Sequence, residues 1–127
     1  MARPPAKELT ERELEVMQIF WKRGDATAAT IRDELADAGQ DLAYTTVATL
    51  IRILTEKQFL DQLNDERPFL FRPIRSYEDV SARMLDDLLD RVFQGSREEL
   101  LMRLMDQKKL TAKERALLVD ILKEHKS

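Results

Sequence analysis

The sequence predicts a mainly α-helical fold in which three helices are followed by a β-hairpin and then by a second set of helices. Apolar residues recur three and four positions apart over most of the 127 residues. Only 3 Gly and 4 Pro interrupt the chain, so the loops are expected to be few and short. One segment near the middle changes to a period close to two, which is typical of strands.

The composition excludes several kinds of protein. Hydrophobic residues make up 43% of the chain and charged residues 35%, as expected for amphipathic helices. The absence of Cys excludes disulfides, zinc–thiolate sites and cysteine nucleophiles. The single histidine, His125, is interpreted as a solvated side chain near the C-terminus, and no acidic residue belongs to a recognisable catalytic arrangement. We therefore expect no enzyme, no catalytic residue, no metal and no cofactor.

The charge and the ends of the chain indicate its location and partners. No apolar run approaches the roughly 20 residues that span a bilayer, and the opening "MARPPAKELTERE" lacks the apolar segment of a signal peptide. We expect a cytoplasmic protein without membrane insertion. The net charge of −3 and the pI of about 5.3 argue against non-specific coating of nucleic acid, although they allow a local contact patch.

The first helix has a clear beginning and end. Residues 1–8 are predicted to be a flexible lead-in because Pro4 and Pro5 oppose helix formation. Thr10 and Glu13 have the spacing of a capping box, and Gly24 ends the helix. Its predicted core face contains Leu14, Met17 and Trp21, with Val16 and Phe20 beside them.

Two more helices and a hairpin follow. The second helix begins near Thr27 and ends before Gly39. The third lies in "LAYTTVATLIRIL", where the spacing of Val47, Leu50, Ile51 and Leu54 predicts a buried face. Two short strands, Phe59–Leu63 and Phe69–Pro73, flank the polar turn "NDERP" and predict a β-hairpin.

This order of elements is that of a winged helix-turn-helix, in which the hairpin forms the wing. We place it at residues 9–74 and assign 75–127 to a helical region. In such folds the third helix packs on the core with one side and enters the major groove with its N-terminal turns. The side opposite the buried face contains Thr45, Ala48, Thr49, Arg52 and Glu56.

The beginning of the third helix is therefore interpreted as a DNA contact surface. Tyr44, Thr45 and Thr46 offer hydroxyls close to the backbone. The two threonines could instead only cap the first turn, and Arg52 could be a solvated surface residue; the hairpin at the expected distance favours DNA contact. Arg67 at the wing turn is the second candidate, and Arg72 is a weaker one.

These segments resemble the BlaI/MecI penicillinase-repressor family of bacterial transcriptional regulators. The resemblance rests on "LTERELEVMQIFW", "LAYTTVATLIRIL" and "EKQFLD", and extends into the helical tail. It implies a homodimeric repressor that binds a palindromic double-stranded DNA operator of resistance or stress genes. By position, it implies DNA contacts at Thr46, Thr49 and Arg52, with Tyr44 and Thr45 at the helix start.

The sequence departs from the family pattern at three places. Gln58 stands where the family usually has Gly, which implies an altered or left-handed backbone at a cost of about 1 kcal/mol. Ile53 replaces a commonly basic residue. The segment "VFQGSREELL" lacks the Asn-Phe bond at which relatives are cleaved, so the membrane sensor-protease implied by the resemblance has no matching cleavage dipeptide here.

The tail is predicted to form the dimer interface. Capping boxes at Ser96/Glu99 and Thr111/Glu114 begin two helices after the one that starts near Ser76. Their apolar stripes are too extensive for helices standing alone, although an intramolecular bundle would also cover them. The predicted interface residues are Val80, Met84, Leu88, Val92, Leu101, Leu104, Leu118 and Ile121.

Two other functions remain open. A winged helix used only for protein–protein contact is supported by the charge of residues 1–73, which contain 10 basic and 13 acidic side chains. A small-molecule sensor would need an apolar pocket between head and tail. Selective binding to a palindrome distinguishes the DNA-binding function from the protein-contact function.

Overall fold

The computed structural model describes residues 9–107 and 110–124. The lead-in predicted for residues 1–8 and the solvated His125 lie outside the described residues. The helices are α1 (Glu11–Arg23), α2 (Ala28–Asp37), α3 (Tyr44–Glu56), α4 (Tyr77–Phe93), α5 (Arg97–Gln107) and α6 (Ala112–Glu124). The strands are β1 (Ala26–Thr27), β2 (Leu60–Gln62) and β3 (Leu70–Pro73). This order confirms the predicted fold of three helices, a hairpin and three further helices.

The beginning of α1 is fixed by the predicted capping box. The Glu13 amide donates to Thr10 Oγ1 at 3.2 Å, and the Thr10 amide donates to Glu13 Oε1 at 3.0 Å. At the other end Gly24 adopts φ +88°, and its amide donates to the Phe20 carbonyl. A residue with a side chain is disfavoured in this conformation, which explains why the helix ends at glycine.

The sheet has three antiparallel strands in the order β1-β3-β2. Leu60 pairs with Pro73, which sets the register of the hairpin, and Ala26 of β1 pairs with Phe71 on the other edge of β3. The hairpin was predicted, with longer strands than the structure has. The two-residue strand β1 was not predicted, and it connects the region before α2 to the wing.

The core lies where α1, α2 and α3 meet the sheet. Its largest fully buried side chains are Phe20, Met17, Ile31, Ile51, Leu54, Leu60, Val16 and Val47. Leu50 and Trp21, both predicted to face the core, are half-buried. Both pack against this core, as predicted. Trp21 also donates from Nε1 to the Arg75 carbonyl at 2.8 Å and meets the Tyr77 ring edge-on at 5.4 Å. It therefore fastens the first turn of α4 to α1.

The turn after α3 contains the predicted backbone irregularity. Gln58 adopts φ +68°, in the left-handed region that favours glycine. Its carbonyl accepts a hydrogen bond from Arg75 Nε at 3.1 Å, and the Arg75 guanidinium lies 5.0 Å from the centre of the Phe59 ring. Arg75 thus supports the turn from outside.

The chain divides into two compact units, the first ending at Arg83 and the second beginning at Met84. The boundary was predicted after residue 74, whereas the first turns of α4 belong to the first unit. Val80 shows why, because it is only 5% exposed and is part of the core cluster formed with α1, α2 and α3. None of the helices in the described ranges is long and apolar enough to cross a membrane.

Candidate nucleic-acid interface

The solvent-facing side of α3 carries the residues predicted to contact DNA. Tyr44, Thr45, Thr46, Thr49 and Arg52 are all exposed. The opposite side of the helix is anchored in the core by Val47, Ile51 and Leu54. The 3.6-residue period of the helix places Thr45, Thr49 and Arg52 on one accessible side, and Tyr44 and Thr46 are exposed in its first turn.

The N-terminus of α3 differs from those of the other helices that the structure describes. Those five helices each begin with a hydroxyl that accepts from a backbone amide three residues later; the hydroxyls belong to Thr10, Thr27, Ser76, Ser96 and Thr111. The N-cap of α3 is Ala43, which has no side-chain hydrogen bond. The first amides of α3 therefore keep their donor capacity, at the end of the helix where the dipole favours an anion.

Thr49 and Arg52 already have partners within α3. Thr49 Oγ1 donates to the Thr45 carbonyl at 2.9 Å, which leaves its methyl group and an oxygen lone pair for an outside contact. Arg52 Nη1 donates to Glu56 Oε2 at 2.8 Å. Both side chains of this ion pair are more than 60% exposed, so the pair is weak and a phosphate could replace the carboxylate.

Arg32 is a neighbour of this surface that the sequence analysis did not identify. It lies on α2, and its guanidinium is 5.9 Å from the centre of the Tyr44 ring. It also pairs with Asp33 at 3.1 Å. The stacking places a second guanidinium beside the beginning of α3. This placement depends on the packing of α2 against α3, which the sequence does not show.

The wing turn is organised by Asn64. Its Nδ2 donates to the Pro68 carbonyl at 3.2 Å, and its Oδ1 accepts from the Leu70 amide at 2.8 Å. These bonds close the turn that carries Arg67, whose guanidinium lies 5.4 Å from the centre of the Phe69 ring. Arg67 is exposed in the wing turn, as predicted.

Arg72 is engaged within the fold. Its Nε and Nη2 donate to the two carboxylate oxygens of Asp25 at 3.1 and 3.0 Å. The hydrogen bonds from Arg72 hold the pKa of Asp25 below its ordinary value. This bidentate pair ties β3 to the residue before β1, so we assign Arg72 to the support of the wing rather than to DNA contact.

A shared cavity brings the helix and the wing together. Tyr44 and Arg52 from α3 and Arg67 from the wing all line one cavity of about 610 Å³. Residues separated by 23 positions in sequence thus face the same space. Acidic side chains are also present on this part of the molecule: Glu56 lines the cavity, and the exposed Asp65 and Glu66 precede Arg67 in the wing turn. The positive and negative side chains of this surface are therefore nearly balanced.

The second unit exposes most of the predicted dimer residues. Met84, Leu88, Val92, Leu101, Leu104 and Ile121 are between 42% and 62% exposed. Leu118 is half-buried, and Val80 is buried in the first unit. Val80 is therefore removed from the candidate interface, since its periodicity reflects packing on the core. Within the described ranges, no group of three or more His, Asp or Glu side chains is arranged to hold a metal ion.

Known proteins of similar sequence are regulators. BlaI, a transcriptional regulator of Mycobacterium tuberculosis, is 30% identical over 100 residues, which are 78% of this chain and 72% of BlaI. MecI, a methicillin resistance regulatory protein of Staphylococcus aureus, is 27% identical over 115 residues, covering 91% and 93% of the two chains. The penicillinase repressor of Bacillus licheniformis is 24% identical over 120 residues, covering 94% and 93%.

Solved structures share the fold. The complex structure of hsRosR-SG superposes with a TM-score of 0.55 at 15% identity and covers 95% of both chains. A mutant of MarR from E. coli superposes with a TM-score of 0.50 at 19% identity, covering 92% of this chain and 77% of MarR. These neighbours are winged-helix proteins, in agreement with the predicted fold.

The family follows from the sequence match. The family description "Penicillinase repressor" matches residues 9–124, which include both units. The match covers the capped beginning of α1, the exposed face of α3 and the helices that carry the apolar residues of the second unit. The chain belongs to the penicillinase repressor family.

Proposed function

We propose that this chain is a cytoplasmic, homodimeric transcriptional repressor that binds a palindromic DNA operator. In this proposal α3 enters the major groove, and the wing contacts the adjoining sugar-phosphate backbone. The regulated genes would be resistance or stress genes; the names of the MecI and penicillinase-repressor relatives support resistance genes. The membrane sensor-protease is not part of the proposal, because the segment after α4 lacks the Asn-Phe dipeptide.

The observation that carries the proposal is the exposed start of α3. Of the six described helices, this one begins without a side-chain cap, and hydroxyl side chains surround its amides. The amides and Tyr44 are suited to a phosphate, while Thr45, Thr46 and Thr49 can meet base edges or a thymine methyl group. A helix end that served only the fold would gain about 1 kcal/mol from a capping hydroxyl, as its neighbours do.

The two arginines have different roles in this proposal. Arg52 lies one to two turns into α3 and reaches either a base or a phosphate after it leaves Glu56. Arg67 at the tip of the wing contacts a phosphate beyond the groove. Both line the same cavity, which supports their action on one duplex.

The homodimer explains how so weakly basic a surface can bind DNA. Two heads joined by one interface engage two half-sites, and the second contact becomes intramolecular. The exposed apolar side chains of the second unit, including Leu88, Leu101 and Ile121, supply a surface for a second copy. Half-sites would lie about one helical turn or more apart.

A footprint of the protein on DNA from its own upstream region tests the proposal. Two protected half-sites related by symmetry are expected. Arg52→Ala should weaken operator binding by about 1 to 3 kcal/mol per head if Arg52 reads a base, and weaken all duplexes equally if it contacts phosphate. Arg97→Ala, on an exposed residue at the start of α5, is the matched control and should leave the footprint unchanged.

The protein-contact function predicts the opposite result. It is favoured by the pairing of Arg52 with Glu56 and by the acidic Asp65 and Glu66 on the wing. No symmetric footprint on upstream DNA, together with equal and feeble binding to unrelated duplexes, would support it and would refute the repressor proposal.

A further inference from the structure

The cavity beside α3 has the dimensions of a ligand site. It lies between the beginning of α2, the exposed side of α3 and the wing, and all its lining residues belong to the first unit. Its volume of about 610 Å³ is within the range of roughly 300 to 1,000 Å³ that holds drug-sized molecules. It is therefore distinct from a pocket between head and tail.

The floor of the cavity is apolar. Ile51 of α3, Ala28 of α2 and Phe71 of β3 line it, and each is less than 9% exposed. Ala48 from α3 and Phe69 from the wing line it as well, and both are half-buried. Water against such a floor finds few hydrogen-bond partners, so an apolar ring that replaces it is favoured.

The mouth of the cavity carries an available cation. Within the described part of the chain, the Arg67 guanidinium has no ion pair or hydrogen bond, and it lies over the face of the Phe69 ring. The other cavity guanidinium, Arg52, is paired with Glu56. An anionic group would therefore be attracted to the Arg67 side of the mouth. The cavity thus combines an apolar floor, aromatic side chains and, among the described residues, one guanidinium without an ion pair.

We propose that this cavity binds an aromatic acid of about two or three rings. The rings lie between Ala48 and Phe69 over Ile51, and the anionic group lies beside Arg67. Because Tyr44, Arg52 and Arg67 form the mouth and also belong to the proposed DNA interface, the bound acid and DNA exclude each other. The exclusion depends on the proposed function, whereas binding of the acid does not.

The first experiment uses 8-anilinonaphthalene-1-sulfonate as the probe and the full chain without DNA. Methyl NMR spectra should show shifts for Ala48 and Ile51, which line the cavity. Ile19 on α1 and Ile121 on α6 do not line it and should be unaffected. Shifts confined to Ile121 and the methionines of α5 would place the probe on the second unit and overturn the proposal.

Two variants distinguish binding of the probe in the cavity from non-specific binding elsewhere on the protein. Ala48→Leu fills the cavity and should weaken probe binding at least about tenfold, whereas Ala36→Leu, on an exposed part of α2 outside it, should not. Arg67→Gln lies on an exposed turn and leaves the core intact; it should weaken binding about fivefold. Arg97→Gln is its control. The proposal would be overturned if each cavity variant bound the probe as tightly as its control. The two pairs are independent, so one poorly folded variant leaves the other pair to decide.

A competition experiment then tests the exclusion. Operator duplex should reverse the methyl shifts, and the probe should raise the apparent Kd for DNA by a factor of one plus the ratio of the free probe concentration to the Kd of the probe. Simultaneous binding of probe and duplex would overturn the exclusion. A chain that binds no duplex would refute the repressor function, while the methyl shifts measured without DNA would still decide the ligand site.

Discussion

Lys57 Nζ donates to Oε1 of Glu13 across 2.7 Å and joins the end of α3 to the beginning of α1. The side chains are 20% and 5% exposed, so this ion pair is largely removed from solvent. The same carboxylate oxygen also accepts the Thr10 amide of the capping box. Glu13 thus caps the first turn of α1 and also holds the C-terminal end of α3, the helix that we propose reads DNA.

The Glu13–Lys57 pair should contribute strongly to stability. Glu13→Gln keeps a hydrogen-bond acceptor for Thr10 but removes the buried negative charge that faces Lys57. We expect the free energy of unfolding to fall by about 2 to 4 kcal/mol in urea denaturation. Glu15→Gln, which removes a half-buried partner of the exposed Arg12, is the control and should change the free energy of unfolding by less than about 0.5 kcal/mol. Equal effects would show that the buried pair has no special role.

The same pair predicts how stability depends on pH. Burial raises the pKa of Glu13, but hydrogen bonds from Lys57 and Thr10 and the Lys57 charge outweigh it, so the pKa lies below the ordinary 4.5. A lowered carboxyl pKa stabilises the fold above pH 4.5, and this stabilisation is lost as the pH falls through the folded-state value. The parent protein should therefore lose stability more steeply below pH 4.5 than Glu13→Gln does. Parallel pH profiles of the two proteins would contradict this.

Glu56 is expected to weaken DNA binding. It neutralises Arg52 through the 2.8 Å ion pair and places a negative charge on the proposed interface. Glu56→Gln should therefore tighten operator binding about three- to tenfold at low salt. Glu98→Gln, on α5, is the control for the change in net charge. A loss of affinity in Glu56→Gln would mean that the pair holds Arg52 in its working position.

Leu88 tests the proposed dimer interface. An aspartate in the apolar stripe would have to be buried against a second copy, so Leu88→Asp should shift the protein to a monomer on a sizing column and abolish operator binding. Ala82→Asp adds the same charge at an exposed position of α4 outside the predicted stripe and should remain dimeric. A dimeric Leu88→Asp protein would show that the interface lies elsewhere.

Gln58 tests the strained turn after α3. Because its φ is +68°, Gln58→Gly should raise the free energy of unfolding by about 0.5 to 1 kcal/mol in urea denaturation. Gln62→Gly places the same residue in the extended strand β2 and should lower it by a similar amount. If both variants were destabilised, the left-handed backbone at Gln58 would not be a source of strain.

The features that the sequence could predict are local ones. They depend on residues only a few positions apart in the sequence. Examples are the Thr10–Glu13 capping box, the backbone at Gln58 and the exposed face of α3. The strand β1 could not be predicted, because Ala26 and Thr27 have no strand pattern of their own. They become a strand only by pairing with β3, which is more than 40 residues away.

Contacts between distant residues explain the remaining differences. The Glu13–Lys57 pair and the stacking of Arg32 on Tyr44 join different helices. The local sequence around each residue does not predict which distant residue it contacts. Val80 fits the apolar stripe of the tail, but periodicity shows only that a residue is covered, not what covers it. In the structure the core of the first unit covers it.

Fluorescence anisotropy of the purified protein with duplex DNA from its own upstream region is the most direct test of the repressor function. A shuffled duplex serves as the control, and both are titrated across a salt series. We predict tighter binding to the native duplex, with a salt slope that corresponds to several phosphate contacts. Equal and feeble binding to both duplexes at every salt concentration would contradict the proposal that α3 and the wing form a specific DNA-reading surface.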